Sequence, residues 1–161
     1  LILATGMRRG EACGLRWSDI DWRQRALHIP RNVVKLSGQP ILVKEPKTRA
    51  GVRVVYLSKE LCKLLRVWQK ESAWEKKQRG EGGLEEEFKK ILREGNLPDN
   101  LNVHSLRHTN ASMLIAQGVD VRTVAGLLGH AQPSTTLDIY SHAFDKNKKL
   151  AQEKLAEAMG L

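Results

Sequence analysis

His104-Ser105-Leu106-Arg107-His108-Thr109, then Leu127-Leu128-Gly129-His130, then Thr135-Thr136-Leu137-Asp138-Ile139-Tyr140-Ser141-His142 is the run of sequence on which the reading of this chain turns. Leu106, Met113 and Leu114 supply the apolar positions of a helix over 105–117, with Gly118 as its stop. Asp120 is a good N-cap for a second, short helix carrying Val121, Val124, Leu127 and Leu128, closed by Gly129. Ser134 opens a third helix that brings Tyr140 onto an ordered element. A final charged helix over 145–159 carries Leu150, Leu155 and Ala158 as a thin apolar stripe.

Upstream the chain changes character. Leu1-Ile2-Leu3-Ala4 looks like the end of a helix, and 8–14 can form a short helix with Met7, Cys13 and Leu15 as its apolar surface. After a turn at Ser18 and Asp19, 26–29 reads as a strand, Pro30 as a break and 33–36 as a weaker strand. The strand 41–43 is expected to pair as a hairpin with 52–57, and their connection carries Lys47 and Arg49 on a surface excursion. Ser58 then caps an amphipathic helix marked by Leu61, Leu64, Leu65 and Trp68 and continuing to Trp74 or beyond. The charged, glycine-rich stretch 75–83 reads as an exposed loop, and Leu84, Phe88, Ile91 and Leu92 restore helical spacing before Gly95. The fold class that follows is mainly α with a small antiparallel β-sheet.

At 161 residues and 41% hydrophobic content, the chain can bury one domain's core. The net charge of +9 favours an anionic partner, of which a polynucleotide is the commonest, although charge does not by itself separate DNA or RNA from a membrane surface or plain solubility. Cys13 and Cys62 form no Cys-x-x-Cys pair and are too few for a disulfide scaffold, which suits a reducing, cytoplasmic compartment. No apolar run approaches the roughly 20 residues needed to cross a bilayer, so no membrane partner is expected. The abrupt start at Leu1, without an initiator methionine, reads as a fragment of something longer. Gly80, Gly82 and Gly83 lack the flanking strand and helix of a nucleotide-binding loop. His104 and His108 are four apart, but Ser105 stands where a His-Glu-x-x-His metal motif needs glutamate, and neither metal nor cofactor is expected.

Taken in order, the segments resemble the tyrosine recombinase, or phage integrase, family. Thr5-Gly6-Met7-Arg8-Arg9-Gly10-Glu11 resembles the segment bearing the family's first catalytic arginine, which falls on Arg8, and Leu15-Arg16-Trp17-Ser18-Asp19-Ile20 resembles its continuation. Pro46-Lys47-Thr48 aligns with the lysine of the family's β-hairpin, and the three segments quoted at the outset resemble the His-x-x-Arg box, the next histidine motif and the nucleophile motif. The resemblance thereby assigns catalysis to Arg8, Lys47, His104, Arg107, His130 and Tyr140, with Glu11 organising the arginines. Alone, each has a plainer reading: Arg8 as a solvated arginine, Lys47 as a loop residue, His104 with Arg107 as a helix-start contact, His130 as a helix end, Tyr140 as a core tyrosine. Their ordered conjunction is what favours the catalytic reading. Arg9, Thr48, Arg49 and Arg53 are candidate DNA-backbone contacts; His142 receives no catalytic step, and His108 is read as a local hydrogen-bonding residue, with a structural role and direct phosphate contact as the alternatives.

The chemistry explains why these groups belong together. A phosphodiester attacked by a side-chain oxygen gains charge on its non-bridging oxygens, which planar guanidinium groups and a histidine can meet with directed hydrogen bonds. The resemblance implies attack by Tyr140, His104 as general base, Lys47 as general acid, and a covalent 3′-phosphotyrosyl intermediate without metal or ATP. It further implies that 1–161 is a C-terminal catalytic domain whose N-terminal DNA-binding domain is absent. The partners so implied are double-stranded DNA with specific recombination sites, further protomers in a tetramer on that DNA, and accessory DNA-bending factors. The terminal helix is a candidate for the protomer contact, intramolecular packing being the alternative. Integration of a phage or mobile element, a cellular recombinase, a topoisomerase-like nicking activity and an inactive DNA-binding protein are the functional classes to be separated.

Overall fold

The computed structural model describes residues 1–34, 42–44, 52–75 and 84–160. Its N-terminal part is assembled around one strand, β2 (Ala26–Ile29), in which Leu27 and Ile29 are almost wholly buried while His28 is exposed. On one side β2 pairs antiparallel with β1 (Ile20–Asp21), on the other with β5 (Arg53–Tyr56), in the order β1-β2-β5. β3 (Asn32–Val34) and β4 (Leu42–Lys44) form a separate antiparallel pair.

This pairing corrects one expectation. Among the described residues, the strands on either side of the Lys47 segment do not pair with each other: β4 pairs β3, and β5 crosses to β2. Burial is the physical reason, because only against β2 can Val55 reach the core, where it packs with Leu27 and Ile29. Lys47, Thr48 and Arg49 lie outside the described residues, as do positions 76–83 of the loop expected over 75–83, whose first residue, Glu75, instead ends the helix before it.

The helices account for most of the chain, and the mainly α fold with small antiparallel sheets is what forms: α1 (Ile2–Thr5), α2 (Arg9–Cys13), α3 (Lys59–Glu75), α4 (Leu84–Glu94), α5 (Val103–Ala116), α6 (Val121–Leu128) and α7 (Pro133–Met159). α2 lies directly on β3, so closely that a Cβ at Gly10 would run into the Asn32 side chain and the Val33 carbonyl. α5 starts two residues before the expected position, because Asn102 is the N-cap: its Oδ1 accepts from Ser105 N (3.0 Å) and Ser105 Oγ accepts from Asn102 N (3.3 Å). α6 starts as expected, with Asp120 Oδ1 accepting from Arg122 N and Thr123 N, and stops at left-handed Gly129, φ 67°. The two helices expected around Tyr140 and over 145–159 meet at a kink: non-helical geometry at Tyr140 (φ −116°, ψ 19°) divides α7 into two helical stretches, the second of which begins before the expected position 145.

Two apolar clusters result. One joins Ile2, Met7, Leu27, Ile29, Val55, Leu57, Cys62, Leu65 and Val103, with Leu15 and Trp17 packed against it. The other joins Ala111, Ile115, Val124, Leu128 and Tyr140 across α5, α6 and α7. α5 links them through a buried stripe at i, i+4 spacing: Val103, Arg107, Ala111, Ile115. A guanidinium in that stripe is costly unless every donor is directed at a partner, which makes Arg107 the place to look for function.

Candidate active site

Arg107 is only 3% exposed. Its Nη1 donates to the Gly6 carbonyl at 2.5 Å, and its Nη2 to the Leu128 carbonyl at 2.7 Å. Gly6 can bring its carbonyl there because it is left-handed (φ 65°) and because a Cβ would fall 2.6 Å from Asn110 Oδ1. Arg8 Nη2 donates to the Gly129 carbonyl (3.0 Å) and Arg53 Nε to the Leu127 carbonyl (2.7 Å). Three consecutive carbonyls at the C-terminal end of α6 therefore each hold one arginine. Those carbonyls lack helical partners and lie at the negative end of the helix, so they suit cations.

Glu11 ties two of the three together. Its carboxylate accepts from both terminal nitrogens of Arg53 (3.0 and 2.9 Å), from Arg8 Nη1 (2.9 Å) and from the Arg8 backbone N–H (2.7 Å). Burial pushes the carboxyl up, but the hydrogen bonds and charges of Arg53 and Arg8 outweigh it and hold Glu11 below its ordinary value. Burial first, then the Arg8 charge, brings Arg107 down to about 10, so it remains a cation at neutral pH. Three guanidinium groups against one carboxylate leave the site with surplus positive charge. That is the electrostatics of an anion site.

His130 stands beside Arg107, with Nε2 3.0 Å from Arg107 Nη2 and Nδ1 2.7 Å from Thr136 Oγ1. Because a guanidinium can only donate, Nε2 accepts, and Nδ1–H donates to the wholly buried Thr136 hydroxyl. Burial, then Arg107, Arg8 and Arg53, depress the imidazole to about 4, so it is neutral at pH 7.

Tyr140 is 7% exposed and belongs to the second cluster. Burial raises its phenol above the ordinary value, with Arg107 opposing, so the hydroxyl keeps its proton at neutral pH. That hydroxyl meets His108: Oη lies 2.9 Å from Nδ1. His104, one turn earlier on α5, touches the edge of His108 with ring centroids 4.7 Å apart. Its imidazole is lowered by burial and then by the His108, Arg107 and Arg8 charges.

The structure thus brings together Arg8, Glu11, Arg107, His130 and Tyr140, with His104 at the edge. Arg53, grouped by the sequence with DNA-backbone contacts, is 7% exposed and turned inward to Glu11 and Leu127; it is part of the scaffold that holds Arg8. Arg9 is at the surface, paired with Glu85 at 2.8 Å. Two contacts were not read from the sequence, Thr136 to His130 and His108 to Tyr140. Thr136 is four residues before Tyr140, and His108 four after His104, so helical spacing carried a weak signal for both. Among the described residues no group of three or more His, Cys, Asp or Glu side chains is placed to hold a metal ion.

The family model for the phage integrase family matches residues 1–147. The chain belongs to the phage integrase family. Among relatives of this integrase-family chain, a tyrosine recombinase XerC-like protein of Caldanaerobacter subterraneus subsp. tengcongensis is 29% identical over 96% of the chain and 47% of its own length. The tyrosine recombinase XerC of Corynebacterium glutamicum is 35% identical over 94% of the chain and 47% of its own length. The ICEBs1 integrase of Bacillus subtilis is 28% identical over 96% and 46%. The chain spans about half the length of the curated relatives it matches. The fold agrees: the Tn1549 transposon integrase, solved with transposon right-end DNA, superposes with TM-score 0.76 at 22% identity, covering 96% of this chain and 56% of that one. XerA recombinase gives 0.66 at 23%, covering 93% and 55%.

Proposed function

We propose that this chain is the catalytic domain of a site-specific DNA recombinase that cleaves and rejoins DNA through a covalent 3′-phosphotyrosyl intermediate. The observation that carries the proposal is the convergence of Arg8, Arg107 and His130 on one positively charged site, with Tyr140 near enough for the Arg107 charge to act on its phenol. In this reading the two guanidinium groups and His130 bind the non-bridging oxygens of the scissile phosphate, where charge grows in the transition state. Tyr140 Oη attacks phosphorus, the P–O5′ bond breaks, and Lys47 protonates the departing 5′ oxygen. The phenolic proton passes to a histidine of α5, placed by the resemblance at His104. Because the phosphodiester is exchanged for a phosphotyrosine ester, a second 5′ hydroxyl can reverse the attack without ATP or metal.

The relatives support DNA as the partner, since the Tn1549 integrase and XerH structures are complexes with DNA. Integrases of ICEBs1 and Tn1549 favour a mobile-element setting, and in the cytoplasm the protein would act on DNA. Four protomers on two duplexes, with accessory bending factors, complete the reading. Leu155 and Ala158 of the terminal helix are exposed, which favours their use between protomers; the Leu150 side chain lies outside the described set. Among the described residues no helix is long and apolar enough to cross a membrane.

Incubating the full-length protein with two duplexes, each carrying the site it selects from random DNA, tests this function. Reciprocal exchange of their flanks is the expected result. Relaxation of supercoils without exchange would favour a topoisomerase, and binding without cleavage an inactive DNA-binding protein.

A further inference from the structure

The family resemblance gives His104 a step and His108 none, yet it is His108 that meets the nucleophile. Tyr140 Oη and His108 Nδ1 are 2.9 Å apart, with ring centroids 5.7 Å apart. Among the described residues no hydrogen bond joins His104 to Tyr140. A general base must stand within roughly 2.6–3.2 Å of the proton's oxygen, or be linked through one water, and His108 alone of the two histidines satisfies the direct criterion.

The backbone is arranged to make this contact. Tyr140 sits at the kink between the two helical stretches of α7, and its φ of −116° and ψ of 19° lie near the sparsely populated bridge region where active-site residues recur. The ring is 7% exposed and packed in the second cluster, whereas His108 is exposed. The phenolic oxygen therefore leaves the core at the point where His108 covers it. A neutral phenol donates its only hydrogen, so His108 Nδ1 accepts.

We infer that His108 holds the Tyr140 hydroxyl and takes its proton at attack, which rests on Tyr140 being the nucleophile and moves the general base one turn along α5 from His104. The step balances. The Oη–H bond breaks and the proton goes to Nδ1; the Oη–P bond forms, P–O5′ breaks, and Lys47 protonates the leaving oxygen. The His108 imidazolium holds its proton for the reverse step, in which a 5′ hydroxyl gives its proton to the now neutral Lys47 as it attacks phosphorus, the P–Oη bond breaks, and Tyr140 leaves as the phenol with the proton from His108.

The test uses the full-length protein and a nicked duplex carrying the site it selects from random DNA, with the rate of covalent adduct as readout. His108→Ala slows adduct formation by about 10²–10⁴-fold, and imidazole added to the buffer restores part of the rate. His104→Ala is not restored by imidazole. A wild-type rate in His108→Ala, or rescue of His104→Ala alone, overturns the inference. A second measurement needs no DNA: the chain has two tyrosines, Tyr56 and Tyr140, and Tyr56 is 76% exposed, so ¹³Cζ-labelled tyrosine gives two separable reporters. The Tyr140 resonance shifts in His108→Ala while Tyr56 stays; an unmoved Tyr140 resonance overturns the contact. No adduct from the unsubstituted protein, despite site binding, would instead sink the recombinase reading, while the resonance still judges His108.

Discussion

Thr136 Oγ1 stands 2.7 Å from His130 Nδ1, on the far side of the imidazole from Arg107. With Nε2 accepting from Arg107, His130 is held in the Nδ1–H form. A phosphate oxygen needs a donor at Nε2, and a hydroxyl is suited to the change, because it can switch from accepting at Nδ1 to donating. Thr136→Val keeps the buried volume and removes that freedom, and should slow adduct formation roughly ten-fold, the value of about one hydrogen bond. Thr136→Ser should restore the rate. Equal losses in Val and Ser would show that the methyl group, not the hydroxyl, matters.

The same histidine predicts acid sensitivity. His130 is brought from 6.5 to about 4, by burial first and then by Arg107, Arg8 and Arg53. The unfolded chain thus takes up a proton that the folded chain refuses between those values, so His130's contribution is complete above about pH 6.5 and is lost as pH falls toward 4. His104 is shifted in the same direction. Urea midpoints measured from pH 7.5 to 4.5, values chosen as about one unit above and about half a unit above those limits, should fall less steeply in His130→Gln than in the unsubstituted protein. Parallel curves would contradict the assignment.

Glu11 is the junction of Arg8 and Arg53, and its removal leaves the largely covered Arg53 guanidinium and the more open Arg8 without their counter-charge. Glu11→Gln should destabilise the fold by about 3 kcal/mol in denaturant unfolding. It should also flatten the acid limb below the ordinary carboxylate range, since Glu11 stabilises above its unfolded value and loses that contribution as it protonates. An unchanged midpoint would mean that Arg8 and Arg53 are held by the α6 carbonyls alone.

Lys47 is proposed as general acid, and leaving-group chemistry tests it. Lys47→Ala should slow cleavage of ordinary DNA by about 10²-fold or more. A substrate with sulfur in place of the bridging 5′ oxygen departs as a thiolate, whose conjugate acid titrates near about 8.5, and should be cleaved by Lys47→Ala at close to the parent rate. An undiminished defect on the sulfur substrate would place Lys47 in phosphate binding instead.

What the sequence made legible followed from local chemistry. Asp120, Gly129 and Ser58 mark helix ends that the structure repeats, with Ser58 Oγ accepting from Leu61 N at 3.1 Å. The start of α5 was displaced because Asn102 and Ser105 form a reciprocal cap. Strand pairing was not legible: β3, β4 and β5 span three or four residues each, too few for a pattern to choose a partner, and the choice rests on Val55 reaching a core distant in sequence. Arg53 was placed beside Lys47 by proximity in the chain. Alternation along β5 held the better clue, since Arg53 and Val55 share the buried face while Val54 and Tyr56 are exposed. The candidate site residues stand in recognisable motifs, but the interlocking of Arg8, Arg53 and Arg107 through the α6 carbonyls depends on three long-range contacts that no local pattern encodes.

Tyr140 is the residue proposed to form a covalent bond to DNA. The full-length protein and its Tyr140→Phe variant are each incubated with a suicide duplex nicked near the scissile phosphate, then denatured and resolved by size. A protein-DNA adduct on the 3′ side of the break, formed by the parent and absent from Tyr140→Phe, is the predicted result; an adduct that persists in Tyr140→Phe, or none from a parent that binds the site, would contradict it.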